Sequence, residues 1–364
     1  MLYKTKWIVI LFVYLIFLTT FHITAYAATL TWNGEGGDNL SSNSANWSGA
    51  VAPQHGDNVV FDNTSLKDCT WDLNVTTASI TKYSGYTGSI TKISGASLAI
   101  AKVIRWSGGG SDNLASNPSN WSGGVIPKNG DKVILNDASS DDMTWDLAGV
   151  EIALFSISSA YSGTVTLNTA FTVTGNIYVA GGTLNLNNYG LNVDGYLMLN
   201  TDGTILATSS TITVKGHWVN AGTFNAGTST VILAGTDQYI LGNTVFYNLS
   251  KTVLSADTLY FEAGKTITIL NSLTLHGVEG AMLTLLSTSP GSYWSLDPRG
   301  ARNISYVSIQ DLNNVNFVDI VAIHSQNLGN NSGIGFGGSE CVCLDNQELN
   351  FTYSVGDREG DTHV

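Results

Sequence analysis

The sequence predicts an all-β protein, a right-handed parallel β-helix (solenoid) with two tandem Trp/Gly-rich β-modules near the N-terminus. The prediction rests on a short repeat with the length of one solenoid coil, on a long duplication near the N-terminus, and on the composition. Charged residues make up 12% of the 364-residue chain, and 39 residues are glycine. This composition favours short strands joined by many turns over helices, which need more Ala, Glu and Lys.

The short repeat occupies the middle of the chain in two registers. A Gly-Thr-apolar triplet recurs at nearly constant intervals, starting at Gly163, Gly182, Gly203 and Gly222. An apolar-x-apolar pattern moves in step with it, starting at Phe171, Leu191, Ile212 and Val231, with a glycine two positions after each copy. Alternating apolar residues indicate strands. One unit cannot bury its own apolar residues but stacked units can, so each repeat is predicted to form one coil.

Stacked coils place equivalent residues in columns along the solenoid. We expect a column of threonines, Thr164, Thr183, Thr204 and Thr223, beside an inward column, Val165, Leu184, Ile205 and Phe224. The stretch from Gly88 to Ile100 is interpreted as a degenerate coil. Short alternating strands continue beyond Ile240, so the coils are assigned to 162–338 and an irregular tail to 339–364.

The long repeat duplicates a tryptophan-rich segment. Residues 32–73 match residues 106–147 at a constant offset of 74, with 23 of 42 positions identical and no gap. This predicts two modules, 28–104 and 105–161. Their tryptophans have two interpretations: packing of a small loop-rich unit, which is favoured because a short β-unit needs a large apolar area, and a contact surface for sugars or proteins. The contact surface would consist of Trp32, Trp47, Trp106 and Trp121.

A calcium ion is a minor alternative in the same modules. Asp38-Asn39 and Asp112-Asn113 follow glycines, as in glycine-rich calcium repeats. True calcium repeats come in tandem and these do not, so no metal or cofactor residue is assigned.

The N-terminus predicts export. Lys4 and Lys6 precede an apolar run from Trp7 to Phe21, and Ala25-Tyr26-Ala27 is a small-x-small cleavage pattern. We therefore assign residues 1–27 to a signal peptide and expect a secreted or cell-surface protein. A retained membrane anchor is the alternative, although the apolar run is shorter than the roughly 20 residues that a span prefers.

Charge and cysteine content exclude several classes of function. The net charge is −13 and no Lys/Arg cluster exists, so phosphate backbones and anionic lipids are repelled and nucleic acid is not expected as a partner. The three cysteines, Cys69, Cys341 and Cys343, leave at least one thiol unpaired, so the chain is not a disulfide scaffold.

The duplicated motif resembles a known group of proteins. The pattern Asn-Trp-Ser-Gly-Gly-Val-x-Pro-x-x-Gly-Asp-x-Val, best matched within residues 31–147, is similar to motifs of large bacterial secreted parallel β-helix proteins. These include autotransporter passengers and haemagglutinin-like adhesins. The resemblance implies a solenoid fold and surface display, and it implies no reaction. The chain departs from autotransporters because it has no recognisable C-terminal membrane barrel.

Parallel β-helices also carry polysaccharide lyases and hydrolases, so acidic residues are candidates for a catalytic site. Asp237 and Asp257 are separated by one coil length and could stack, although solvated turn acids are the favoured interpretation. The turn-like tripeptide Asn200-Thr201-Asp202 lacks its companion motifs. The best acid–base cluster is interpreted as an exposed ion-pair loop and comprises Asp297, Arg299, Arg302 and Asp311. The histidines His217, His276 and His324 show no nucleophile motif.

Three functions follow from these patterns. The leading prediction is an exported structural or adhesin-like β-solenoid without catalysis, contacting surface glycans or other cell-surface proteins. The alternatives are a polysaccharide lyase or hydrolase, which requires clustered acids in a groove, and a glycan-binding module, which requires exposed tryptophans.

Overall fold

A computed structural model describes residues 28–316 and 318–337. Within them the protein is a β-solenoid of about 13 turns with parallel stacked strands and 3% helix. The predicted all-β solenoid is confirmed. The predicted signal peptide at 1–27, the tail at 339–364, and Cys341 and Cys343 lie outside the described residues.

Most strands are short, as the alternating patterns predict, although Phe171–Val179, Thr244–Thr252 and Thr266–His276 have 9, 9 and 11 residues. Those of the first module are Thr29–Thr31, Asn58–Phe61, Cys69–Trp71, Asn74–Thr77, Ser79–Lys82, Ile90–Lys92 and Ser97–Ile100. Those from the second module to the middle of the coils are Val103–Arg105, Lys132–Leu135, Met143–Trp145, Glu151–Ile157, Thr164–Leu167, Phe171–Val179, Thr183–Asn185, Leu191–Val193, Leu197–Leu199, Thr204–Leu206, Thr211–Val214, Trp218–Asn220, Thr223–Asn225 and Thr230–Leu233. The remaining strands are Gln238–Leu241, Thr244–Thr252, Asp257–Phe261, Thr266–His276, Leu283–Ser287, Trp294–Pro298, Ala301–Ser305, Val307–Gln310, Leu312–Asn314, Ile320–Ile323, Gln326–Gly329 and Ile334–Gly337. Three short 3₁₀ helices lie in the module loops, at Ser44–Asn46, Ser48–Ala50 and Pro118–Asn120.

The coils stack in the predicted register. Thr164, Thr183, Thr204 and Thr223 pair in succession along one parallel sheet. The neighbouring column, Val165, Leu184, Ile205 and Phe224, is buried. The degenerate coil is also present, because Ile90–Lys92 pairs with Cys69–Trp71 and Ser97–Ile100 pairs with Asn74–Thr77. Each inward side chain therefore packs on its equivalents in the coils above and below.

The structural duplication extends beyond the segments whose sequences match. Ile90–Lys92 and Ser97–Ile100 of the first module correspond, at the same constant offset as the tryptophan-rich segments, to the starts of Thr164–Leu167 and Phe171–Val179. Each module is therefore a solenoid coil that carries a tryptophan-rich loop, and the second module continues into the following coils.

The apolar interior forms two clusters. One runs from Leu30 to Tyr86 in the first module, and the other from Ile104 to Ala322 through the second module and the coils. The side chains of Ile100 and Val103, between the clusters, are exposed. No helix in the described ranges is long and apolar enough to cross a bilayer.

Candidate functional site

The four tryptophans considered as a contact surface lie in the core. Trp32 and Trp106 are 0% exposed, Trp47 is 1% exposed and Trp121 is 2% exposed. Within each module the two indoles meet edge to face with ring centroids 5.1 Å apart. Rings buried in this way cannot stack on a sugar, so the contact-surface interpretation is wrong for these residues. Packing accounts for them, because two indoles supply the apolar area that a loop-rich unit needs.

A buried asparagine organises the loop beside each tryptophan pair. Asn46 Oδ1 accepts a hydrogen bond from Gly36 N at 2.8 Å, and its Nδ2 donates to the carbonyl oxygens of Asp38 and Leu40 at 3.0 Å. Asn120 makes the equivalent bonds in the second module. These amides satisfy backbone groups that have no strand partner, which explains why the loop sequence recurs in both modules.

The aspartates considered as calcium ligands already accept hydrogen bonds from neighbouring groups of the protein. Asp38 Oδ1 accepts from Leu40 N at 3.0 Å and from the side-chain amides of Asn43 and Asn46 at 3.1 Å. These bonds, the Leu40 N–H first, lower the pKa of the carboxyl. The described parts of the chain contain no group of three or more His, Cys, Asp or Glu placed to hold a metal ion. Calcium stays the minor alternative that the sequence offered, and the hydrogen bonds already give the motif a structural role.

Cys69 is a buried free thiol in the core of the first module. Burial raises the pKa of the thiol to about 12, with a smaller contribution from Asp72. A thiol of this kind is unreactive near neutral pH.

Asp237 and Asp257 come together across neighbouring coils but do not form an acid pair. Asp257 Oδ1 accepts from the backbone N–H of Asp237 at 2.7 Å, while Asp257 Oδ2 pairs with Lys251 Nζ at 2.7 Å. The side chains of Lys251 and Asp257 are 0% and 3% exposed, so the interpretation of Asp257 as a solvated turn acid is wrong. Lys251 Nζ also donates to Gly235 O and Gln238 Oε1. Burial lowers the pKa of Lys251, and Asp257 opposes that shift.

The acid–base cluster predicted around Arg299 separates into different contacts. Asp297 Oδ2 accepts from Arg299 Nη2 at 2.7 Å, and this bond holds the pKa of Asp297 below its usual range. Arg302 Nη1 instead donates to the carbonyl oxygen of Gly300 at 2.8 Å. The side chain of Arg299 is 59% exposed, as predicted for an exposed ion pair, but that of Asp297 is only 12% exposed and lies on the strand Trp294–Pro298.

Asp311 belongs to another loop and is itself buried. Its Oδ2 accepts from Gly291 N at 3.0 Å, and its Oδ1 accepts from Asn330 Nδ2 at 2.6 Å. Its carboxylate is therefore used to fix the loop around Gly291. The tripeptide Asn200-Thr201-Asp202 lies in a turn, as expected.

The register of adjacent coils places His276 in contact with Ser305. His276 Nδ1 lies 2.5 Å from Ser305 Oγ, and these residues pair on adjacent strands. His324 instead stacks on Tyr306, with ring centroids 4.9 Å apart. Within the described residues, no carboxylate hydrogen-bonds to the His276 ring, so the orienting third member of a catalytic triad is not part of this arrangement.

The structure reveals an outer aromatic column that the sequence analysis missed. Its members occupy equivalent outward positions on four successive coils and are Tyr196, His217, Tyr239 and Tyr260. Successive ring centroids are 4.5, 4.8 and 4.5 Å apart, with interplanar angles of 10°, 59° and 14°. The signal in the sequence was an aromatic ring that recurs once per coil.

His217 is neutral in this column. Neither ring nitrogen is exposed or has a hydrogen-bond partner among the described residues. Burial lowers the pKa of the imidazole to about 4. Lys215 and Asp194 on these coils form an exposed ion pair, with Nζ and Oδ1 2.8 Å apart. The ring therefore serves as an aromatic surface between Tyr196 and Tyr239.

An axial groove of about 280 Å³ continues the column. Its floor holds Tyr239, Tyr260, Leu286 and Gln310, which take successive positions on four coils. Ser287, Thr288, Pro290 and Asp311 also line the groove. Because the coil spacing is about 4.8 Å, the floor runs along the solenoid axis for roughly 14 Å.

Comparison with known proteins found no match: no family model, no curated protein and no solved structure resembles the chain significantly. Functional conclusions therefore rest on the geometry described above.

Proposed function

We propose that this chain is an exported structural or adhesin-like β-solenoid of the cell surface and that it performs no catalysis. The observation that carries the proposal is the apolar core that continues through parallel coils from Ile104 to Ala322. Each coil hydrogen-bonds to the next along its strands, which makes a stiff rod whose outer positions repeat at every turn. A rod of this kind suits the presentation of contacts at a surface, to glycans or to other surface proteins.

The N-terminal sequence supports the surface location. Lys4, Lys6, the apolar run and the Ala25-Tyr26-Ala27 pattern are those of a cleaved secretory signal. Few charged residues and a net charge of −13 keep such a rod away from anionic lipid and nucleic acid.

Export is tested by expressing the full chain in a bacterium and sequencing the N-terminus of the protein found outside the cytoplasm. We expect a mature chain that starts at Ala28, and accumulation of the uncleaved precursor in Ala27→Lys. A chain that keeps Met1 and stays in the cytoplasm would contradict the proposal.

The non-catalytic role is tested on the purified mature chain with neutral and acidic polysaccharides as substrates. We expect no new reducing ends and no unsaturated products after prolonged incubation. Turnover that disappears in Asp297→Asn or Ser305→Ala would replace the proposed role with that of a glycan-degrading enzyme.

A further inference from the structure

We propose that the axial groove binds a neutral linear polysaccharide, which lies along the solenoid axis and stacks on Tyr239 and Tyr260. The inference depends on the proposed function only for the place where the protein encounters the polysaccharide, which is the cell surface. Binding itself can be measured on the purified chain. The groove and its register, described above, carry the argument.

The groove has the shape of a site for a chain molecule. Its floor consists of four residues at one position of four successive coils, so its length follows the axis. The volume of the groove is about 280 Å³. Pockets for compact small molecules are usually concave and hold about 300 to 1,000 Å³. An extended polymer that advances by roughly one unit per coil fits this form better than a compact ligand.

The lining matches the two kinds of surface on a sugar. Tyr239, Tyr260 and Leu286 offer apolar surface for the C–H faces of a pyranose ring. The Gln310 side-chain amide lines the groove and makes no hydrogen bond within the described parts of the chain, so it is free to contact a sugar hydroxyl. Ser287 and Thr288 also line the groove. Their hydroxyl oxygens accept from Ser289 N and Ala263 N, which leaves each O–H as a donor.

Charge selects a neutral ligand. The chain carries a net charge of −13, and the residues that line the groove include Asp311 and no Lys or Arg. Both repel uronic-acid polymers and nucleic acids, although nucleic-acid bases could also stack on tyrosines. An extended peptide is also less suitable, because the strands beneath the groove are already paired on both sides and offer no free edge for strand addition.

The test is affinity electrophoresis of the purified mature chain in gels that contain one polymer each: hydroxyethyl cellulose, galactomannan, arabinoxylan, polygalacturonate or single-stranded DNA. We expect retardation by at least one neutral polysaccharide and none by the two polyanions. Tyr260→Ala and Gln310→Ala should each raise the dissociation constant for that polysaccharide by about tenfold.

Tyr196→Ala is the matched control. It removes a ring from the same column but outside the groove, so the affinity should change less than about twofold. Thermal unfolding verifies that each variant is folded. Retardation by no neutral polymer, equal loss in Tyr196→Ala and Tyr260→Ala, or preference for a polyanion or an extended peptide overturns the proposal. Each of these failures leaves the export and rod predictions intact.

Discussion

At the scale of single residues, environment decides the chemistry that a side chain can perform. His217 has the side chain of a general base, but it lies between two tyrosine rings, and neither nitrogen has a hydrogen-bond partner among the residues that the structure describes. Lys251 has the side chain of a surface residue, yet it is fully buried against Asp257. Buried charges persist only when paired, and a buried imidazole stays neutral, because desolvation disfavours the charged form.

The neutral His217 predicts a pH-dependent stability. Its pKa is about 4 in the folded chain, against 6.5 for an exposed imidazole. Between these values the unfolded state binds more protons, so this contribution is fully present above about pH 6.5 and declines as the pH falls toward 4. His217→Phe keeps an aromatic ring at this position but removes the titrating group. As the pH falls over this range, its free energy of unfolding should therefore decrease less than that of the wild type.

The measurement is urea unfolding of wild type and His217→Phe at several pH values within that window. Tyr196→Phe serves as the control, because it changes the stacked neighbour and keeps the imidazole, and it should follow the wild-type pH dependence. If His217→Phe and wild type lose stability in parallel, the imidazole is not the group responsible.

At the scale of the coil, glycines set how closely successive turns approach. Gly175, Gly195, Gly216 and Gly235 each follow an apolar-x-apolar strand. A Cβ added at Gly216 would lie 2.3 Å from Gly195 O, and one at Gly235 would lie 1.6 Å from Lys215 O. These positions exclude side chains because the backbone of the preceding coil occupies the space.

Substituting these glycines should destabilise the solenoid according to the space available. Gly235→Ala and Gly216→Ala force backbone apart and should each cost about 1–3 kcal/mol or more. Gly190→Ala is the matched control in the same coils, since its added Cβ would meet nothing closer than Thr211 O at 3.9 Å. Denaturant midpoints at constant slope report the differences. Equal stability of Gly190→Ala and Gly235→Ala would contradict this prediction, because it would show that the backbone of neighbouring coils moves apart at no cost.

At the scale of the whole molecule, the two apolar clusters indicate two units of stability. The first comprises the Leu30–Tyr86 cluster, and the second continues from Ile104 to Ala322. Solenoid stability is a sum over coils and their contacts, so a break in the core weakens coupling at that point.

We therefore expect two unfolding transitions in calorimetry, which the duplicated tryptophans can assign. Trp47→Ala should remove about 3–5 kcal/mol from the transition of the first cluster and leave the larger one unchanged. Trp121→Ala, at the equivalent position, should act on the larger transition. A single transition that both variants lower equally would mean that the described chain unfolds as one unit.

The sequence by itself determined the solenoid, its coil length and its register. The Gly-Thr-apolar triplets predicted the Thr164–Thr223 column pair by pair, because the recurring triplet marks the start of one strand in each coil and the two-residue strand period then leaves one register that buries the apolar residues. The sequence also identified the duplicated module, but it could not decide whether Trp32 and Trp47 face the core or the solvent, since loop residues have no period.

Only the tertiary structure decided where chemistry-bearing residues meet. Lys251 forms an ion pair with Asp257 in the core, His276 contacts Ser305 on the adjacent strand, and Tyr239 stacks on Tyr260 in the outer column. Each pair depends on the lengths of the turns between strands, which vary from coil to coil. A change of one residue in a turn moves a side chain from the core to the surface, so the groove at Tyr260 and Gln310 followed from the folded register alone.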